Sequence, residues 1–240
     1  MVLTIRHFFP ELNAWIDEIP DRRFLPLVIY HKRFLVWWGL ALFLCELASR
    51  RQLDSEFNSD GPEVLSNLNR LAGTEQESRP VNRTLELFLR KTGDGPIAGL
   101  RQRMVQRLIR MKALDDARLQ GRFVVPIDGS GYLVFHSRHC EHCLTQRHGE
   151  TTHYMHQVLE AKLLGPAHTV FSIATEFIDN RDTQGVAAGA SQEQVKQDCE
   201  LKALRRLMAG LRAEFPQVRL GLKGDSLYAC GEGFQVAKDY

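Results

Sequence analysis

Residues 139–156 read HCEHCLTQRHGETTHYMH, and six of the nine histidines in the chain lie between His136 and His156. Cys140 and Cys143 form a C-x2-C pair. His148 follows after four intervening residues, His153 after four more, and His156 can replace His153 as the last donor. Two soft thiolates and two imidazoles on a short loop are a donor set for one tetrahedral Zn²⁺ ion. Four protein ligands close the coordination sphere, so such a site is structural; His139 and His142 are spare donors beside it. The alternative is a solvated histidine-rich loop with two reduced cysteines. Asp128 is a second candidate, because it follows the apolar run FVVPI; Asp225 follows RLGLK and Gly224. Acids at strand tips of one sheet can meet across it, although 97 positions separate these two. Paired carboxylates suit Mg²⁺ or Mn²⁺, which can activate a nucleophile and steady a leaving oxygen in phosphoryl transfer. Flanked by Gly129 and Gly224, the same aspartates also fit as turn-formers or caps.

Other charged residues have two readings each. Glu176 lies in an apolar segment, where an unpaired carboxylate is costly, so it is either a third metal-site acid or the partner of an arginine. Asp198 and Glu200 fall at a helix start, where the dipole favours them and capping is the expected role. Arg101, Arg103, Arg107, Arg110 and Lys112 form a basic stripe, with a weaker one at Arg205, Arg206 and Arg212. Such stripes neutralise phosphates or form ordinary solvated faces.

The elements that must position these groups change character along the chain. The 240 residues are 44% hydrophobic and 25% charged, with 31 basic and 29 acidic residues for a net charge of +2. That composition excludes collagen-like and wholly disordered chains, and confines any polyanion binding to local patches. Residues 1 to about 118 read as helical: Phe34–Leu47, Pro62–Leu71 with Asp60 as its cap, Val81–Lys91, and a long helix Pro96–Arg118. Phe34–Leu47 is about 14 residues long, against roughly 20 for a membrane span, and reads as a buried helix. No signal-peptide pattern opens the chain, so a reducing cytoplasm is expected and clustered cysteines suggest metal before disulfide. After Gly121 the texture becomes mixed. Strands are expected at Phe123–Ile127, Gln157–Leu164, Thr169–Ile178 and Arg219–Lys223, with a loop at Asp182–Ser191 and an amphipathic helix at Gln194–Phe215. The predicted class is α/β: a helical N-terminal region, 1–118, then a mixed-sheet domain, 119–240, with the Cys/His loop at 139–156.

Several motifs in one order give Val124–Tyr240 a resemblance to bacterial insertion-sequence transposases of the DDE type. Asp128-Gly129-Ser130 with Tyr132, His139-Cys140, Cys143-Leu144, Tyr154 and His156-Gln157 follow the pattern of one subgroup. Glu176-Phe177-Ile178, Gln197-Asp198-Cys199-Glu200 and the run from Leu222 to Tyr228 follow in the same order. The N-terminal half resembles the family more loosely, through its helical texture and Ser49-Arg50-Arg51-Gln52. The resemblance implies a partial RNase H-like catalytic domain. In it Asp128 and Asp225 are the first two acids of the triad and hold Mg²⁺ (or Mn²⁺) for cleavage and transfer of DNA strands. It also implies DNA at insertion-element ends as partner, a homo-oligomeric transpososome, and His156 as the patterned zinc histidine. The family's third acid lies well downstream of the second, whereas Tyr240 is fifteen residues after Asp225, and Glu232 and Asp239 are too close. The expectation is therefore a transposase or its N-terminal remnant, truncated before the third acid. The rival is a non-catalytic, zinc-stabilised DNA-binding module.

Overall fold

A computed structural model describes residues 2–59, 62–180 and 199–240. The chain divides into two compact units, Met1–Met104 and Val105–Tyr240, and the division falls inside one helix.

The first unit is helical. Its elements are α1 (Val2–Phe8), α2 (Leu12–Asp17), α3 (Lys32–Leu44), α4 (Arg50–Ser59), α5 (Pro62–Ala72), α6 (Asn82–Thr92) and the start of α7 (Gly95–Arg110). The apolar run of α3 is buried on most sides: Phe34, Leu35, Val36, Trp37, Trp38 and Ala41 all lie in the core with Leu53, Leu85 and Phe88. The indole N–H of Trp37 donates to Asn13 at 2.8 Å, so its one polar atom is satisfied inside the packing. Among the described residues no helix is long and apolar enough to cross a membrane. The helix stops at Leu44, short of the expected Leu47. Glu46 turns to φ 54°, and Leu47 N–H bonds back to the Leu42 carbonyl at 2.8 Å, which is helix-ending geometry built without a glycine.

The same device shortens α7. Its apolar spacing predicts a helix to Arg118, but the helix ends at Arg110. Lys112 takes φ 58°, and Ala113 N–H returns to the Leu108 carbonyl at 3.1 Å. A short 3₁₀ turn, Asp115–Ala117, then leads toward the sheet.

The second unit contains β1 (Phe123–Phe135), β2 (Leu144–His148), β3 (Thr151–Leu164), β4 (Val170–Ile178), α8 (Glu200–Glu214), β5 (Leu220–Lys223) and α9 (Gly231–Asp239). Its architecture is mixed α/β, as the sequence predicts. The strand order is β2-β3-β1-β5, with β4 also pairing with β3. β1, β3 and β4 form an antiparallel meander; α8 then carries the chain across to β5, which pairs with β1 in parallel. The sequence spacing puts Leu201, Leu204, Leu207 and Leu211 on one face of the long helix; Leu204, Leu207 and Leu211 are buried and pack with Val125, Ile127, Leu159, Leu163 and Ile173, while Leu201 is half-buried.

Two strands are longer than predicted. β1 continues past Ile127 to Phe135, so Asp128 lies within a strand rather than at its tip. β3 begins at Thr151, so His153 and His156 stand on a strand rather than a loop. A bulge at Tyr132 shifts the β1/β3 register between Gly131 and Leu133. The predicted cap Asp60, the loop 182–191 and helical positions 194–198 lie outside the described residues.

Leu159 is fully buried at the centre of β3. Leu159→Ala is expected to cost about 2–5 kcal/mol in urea unfolding. Val134→Ala, at a position 62% exposed, is expected to change stability by no more than about 0.5 kcal/mol.

Candidate functional site

The thiols of Cys140 and Cys143 and the ring of His156 form one cluster. The two Sγ atoms are 3.7 Å apart, and His156 Nε2 lies 3.4 Å from Cys140 Sγ and 3.5 Å from Cys143 Sγ. A tetrahedral zinc with ordinary Zn–S and Zn–N bond lengths sets its ligands about 3.8 Å (S to S) and about 3.6 Å (S to N) apart. The three donors therefore already form one face of a tetrahedron, a possible metal site compatible with zinc.

Local structure explains this convergence. The Cys140–Cys143 turn folds on itself: Cys143 N–H donates to the Cys140 carbonyl, and Cys140 N–H donates to Cys143 Sγ, both at 3.4 Å. Asn180, just past β4, braces the turn, its side-chain amide donating to the Cys143 carbonyl at 3.0 Å and its N–H to the His142 carbonyl at 3.2 Å. Phe135 stacks on His139 with ring centroids 4.5 Å apart, and Tyr132 and Phe135 flank the His156 ring. Burial pushes the Cys143 thiol up. The N–H groups of Cys140 and His139, the Cys140 thiol and the charge of Arg138 outweigh that, leaving the thiol below its ordinary value and favouring the thiolate a metal requires.

Of the predicted zinc histidines, His156 joins the cysteines and His153 does not. The two are three positions apart on β3, so they face opposite sides of the strand. His153 instead lies opposite Gln146 of β2, with its ring 5.7 Å from that of His136. His148 ends β2, paired with Thr151.

The acids form a second locus. β1 and β5 pair in parallel from Phe123 with Leu220 to Pro126 with Lys223. Asp128 and Asp225 each lie two residues beyond that last pair, at equal register on neighbouring chain segments. Strand spacing is about 4.8 Å. Both are exposed. Asp225 also caps the turn after β5, its Oδ1 accepting from Leu227 N–H at 2.9 Å. The turn-forming alternative thus holds for Asp225, and it uses only one carboxylate oxygen.

A third acid, which the sequence reading assigns to capping, lies close by, although among the described residues only Cys140, Cys143 and His156 bring three ligand atoms within 4.8 Å of one another. Glu200, the first residue of α8, sets its carboxylate against Gly129, the residue after Asp128: a Cβ there would lie 2.3 Å from Glu200 Cδ. The Tyr228 hydroxyl donates to Glu200 Oε2 at 2.6 Å. Burial, that hydrogen bond, and then the charges of Glu200, Asp225 and Asp128 push the Tyr228 phenol far above its usual range. The signal that could have found Glu200 is the Gln197-Asp198-Cys199-Glu200 motif; its first two residues lie outside the described residues.

The remaining candidates separate. Glu176 pairs with Arg206 at 2.6 Å, the arginine-partner alternative. Within the basic stripe, Arg103 is paired with Glu18. Arg101 and Arg103 belong to the first unit, whereas Arg107, Arg110 and Lys112 belong to the second. Compared with protein-family models, curated proteins and solved structures, the chain matches none.

Two predictions follow from this geometry. Co²⁺ titration should give thiolate charge-transfer bands that are lost in Cys143→Ser and His156→Ala and retained in His153→Ala. Tyr228, raised when folded, contributes stability that is complete below its unfolded value of about 10 and lost as pH climbs from there. Ultraviolet titration of the folded protein should leave one phenol un-ionised until unfolding, and Tyr228→Phe should remove it.

Proposed function

We propose that this chain is a DNA-processing protein of the DDE transposase type, acting in DNA transposition through metal-dependent strand cleavage and transfer. The carrying observation is the equal register of Asp128 and Asp225 beyond the parallel β1/β5 pair, with Glu200 against Gly129 beside them. The strand order β4-β3-β1-β5, with α8 crossing between β4 and β5, is what an RNase H-like domain requires, and it supports that finer assignment. Hard carboxylate oxygens on exposed positions fit Mg²⁺ or Mn²⁺, and Asp128 and Asp225 would hold it. When bound, such an ion polarises a phosphodiester and lowers the cost of the attacking oxygen's charge. The chain's own residues prepare the site. Tyr228, kept protonated, fixes one oxygen of Glu200, and Gly129, lacking a side chain, leaves room for that carboxylate.

Zn²⁺ held by Cys140, Cys143 and His156 would serve a structural role in this reading, which requires a fourth donor to close the tetrahedron. It joins the turn before β2 to β3 at the point where His156 lies opposite Leu133, on the strand that carries Asp128. The expected DNA partner, a homo-oligomeric assembly on insertion-element ends and a cytoplasmic location belong to the same proposal.

The competing reading, a zinc-stabilised DNA-binding module without chemistry, is favoured by one observation: Asp225 is engaged as a turn cap. Supercoiled DNA bearing candidate element ends, incubated with and without Mg²⁺ or Mn²⁺, separates the two. Metal-dependent nicking is expected, and Asp128→Asn is expected to abolish it while DNA binding persists. Nicking that survives Asp128→Asn overturns the assignment, and binding without nicking in the zinc-loaded wild type favours the module.

A further inference from the structure

We infer that the second unit carries a separate phosphodiester-binding surface, built from Arg110, Arg122, Arg212 and Arg219 at the end of the β1/β5 pair opposite Asp128 and Asp225. It extends the nucleic-acid reading to a face that the basic stripe of α7 only touches, at Arg110.

Arg122 immediately precedes β1 and Arg219 immediately precedes β5, and Phe123 N–H donates to the Arg219 carbonyl at 2.9 Å. Because Phe123 and Leu220 are register partners, the two arginines stand side by side at the mouth of the parallel pair. The Arg122 stem lies over β5, its Cβ and Cδ 3.7 and 3.9 Å from where a Gly221 Cβ would stand. Two adjoining clefts open there. One, of about 420 Å³, is lined by Arg110, Arg118 and Arg219; the other, of about 380 Å³, by Arg122, Arg212 and Arg219. Arg219 borders both, so the surface is continuous.

The charge on it is uncompensated. Arg110, Arg122, Arg212 and Arg219 are exposed, and none forms an ion pair with a carboxylate among the described residues. No acidic side chain lines the second cleft, and only Glu214 lines the first. Arg118 is held differently: it pairs with Asp115 at 2.8 Å and lies over the Phe123 ring at 4.2 Å. In a chain of net charge +2 this crowding is local rather than a consequence of composition. Like charges side by side repel, and an anion with several charged oxygens relieves the repulsion.

The ligand class follows from spread and distance. Four guanidinium groups along two joined clefts suit a chain of phosphates better than one small anion. From Arg122 to Asp128 is six residues of strand, about 20 Å. About six base pairs fill that gap, at about 3.4 Å each along a strand. The phosphates held here are therefore not those presented to the acids.

The test uses the full-length chain and a short fluorescein-labelled duplex of arbitrary sequence, with anisotropy followed across a salt series. Arg122→Gln/Arg212→Gln/Arg219→Gln is expected to weaken binding at least tenfold and lower the log–log salt slope by about 0.9 per lost contact. The corresponding triple lysine variant keeps the charges and is expected to restore most of the slope, which a merely misfolded glutamine variant does not explain. Wild-type affinity and slope in the glutamine variant overturn the inference. So does arginine-dependent binding to phosphatidylserine vesicles or to inorganic phosphate in a chain that ignores the duplex. Loss of nicking in Asp128→Asn bears only on the acids, whereas loss of the salt slope in the glutamine variant bears only on this surface.

Discussion

The parallel pairing of β1 with β5 runs for only four residues, from Phe123 with Leu220 to Pro126 with Lys223, and both ends of the second unit are organised by it. Parallel neighbours cannot be joined by a tight turn, so the chain must cross over, and α8 is that crossover. Pro126, which has no N–H to give, stands at the last register pair with β5 and just before Ile127, the first pair with β3. Beyond that point Asp128 and Asp225 leave the pair together; before it Arg122 and Arg219 enter together. One short ladder thus separates a negative end from a positive end on the same two strands.

The helix that closes this crossover contributes chemistry as well as packing. Its apolar face fills the core through Leu204, Leu207 and Leu211, while its first residue, Glu200, reaches Gly129 and Tyr228. A carboxylate at a helix start gains from the dipole in any case, so position alone cannot distinguish a stabilising acid from a functional one. The contacts of Glu200 distinguish it here, because they reach β1 at Gly129 and the turn after β5 at Tyr228 rather than its own helix.

Legibility in the sequence followed the range of the physics involved. The strand FVVPI, the leucine face of α8 and the apolar α3 were readable because hydrophobic periodicity is local. The aspartates were readable because an acid after an apolar run marks a strand that has passed out of the core. Cys140 and Cys143 were readable from their spacing. The choice of His156 over His153 does not follow from spacing, which treats 139–156 as a loop; the motif resemblance points to His156, and the alternation of β3 is what sets its ring rather than that of His153 at the thiols. Glu200 was hidden by its 72-position separation from Asp128 and by its credible local role. Helices α1, α2, α4 and α9 are not picked out individually because each has ten or fewer residues, too short to display a clear repeat. The ends of α3 and α7 were misjudged because Glu46 and Lys112 take the left-handed turn that glycine usually signals.

The bulge at Tyr132 changes how this chain tolerates alteration. β1 is 13 residues long, about 43 Å of extended backbone, and it carries the acid locus on one side of the bulge and leads to the cysteine turn on the other. Side chains alternate with a period of two, so losing or gaining one paired residue between Asp128 and Phe135 inverts the facing of all that follows. A deletion that removes the unpaired Tyr132 would instead smooth the ladder and leave Leu133 opposite His156. Substitutions along this strand act one side chain at a time, whereas an insertion or deletion away from the bulge turns one site over relative to the other.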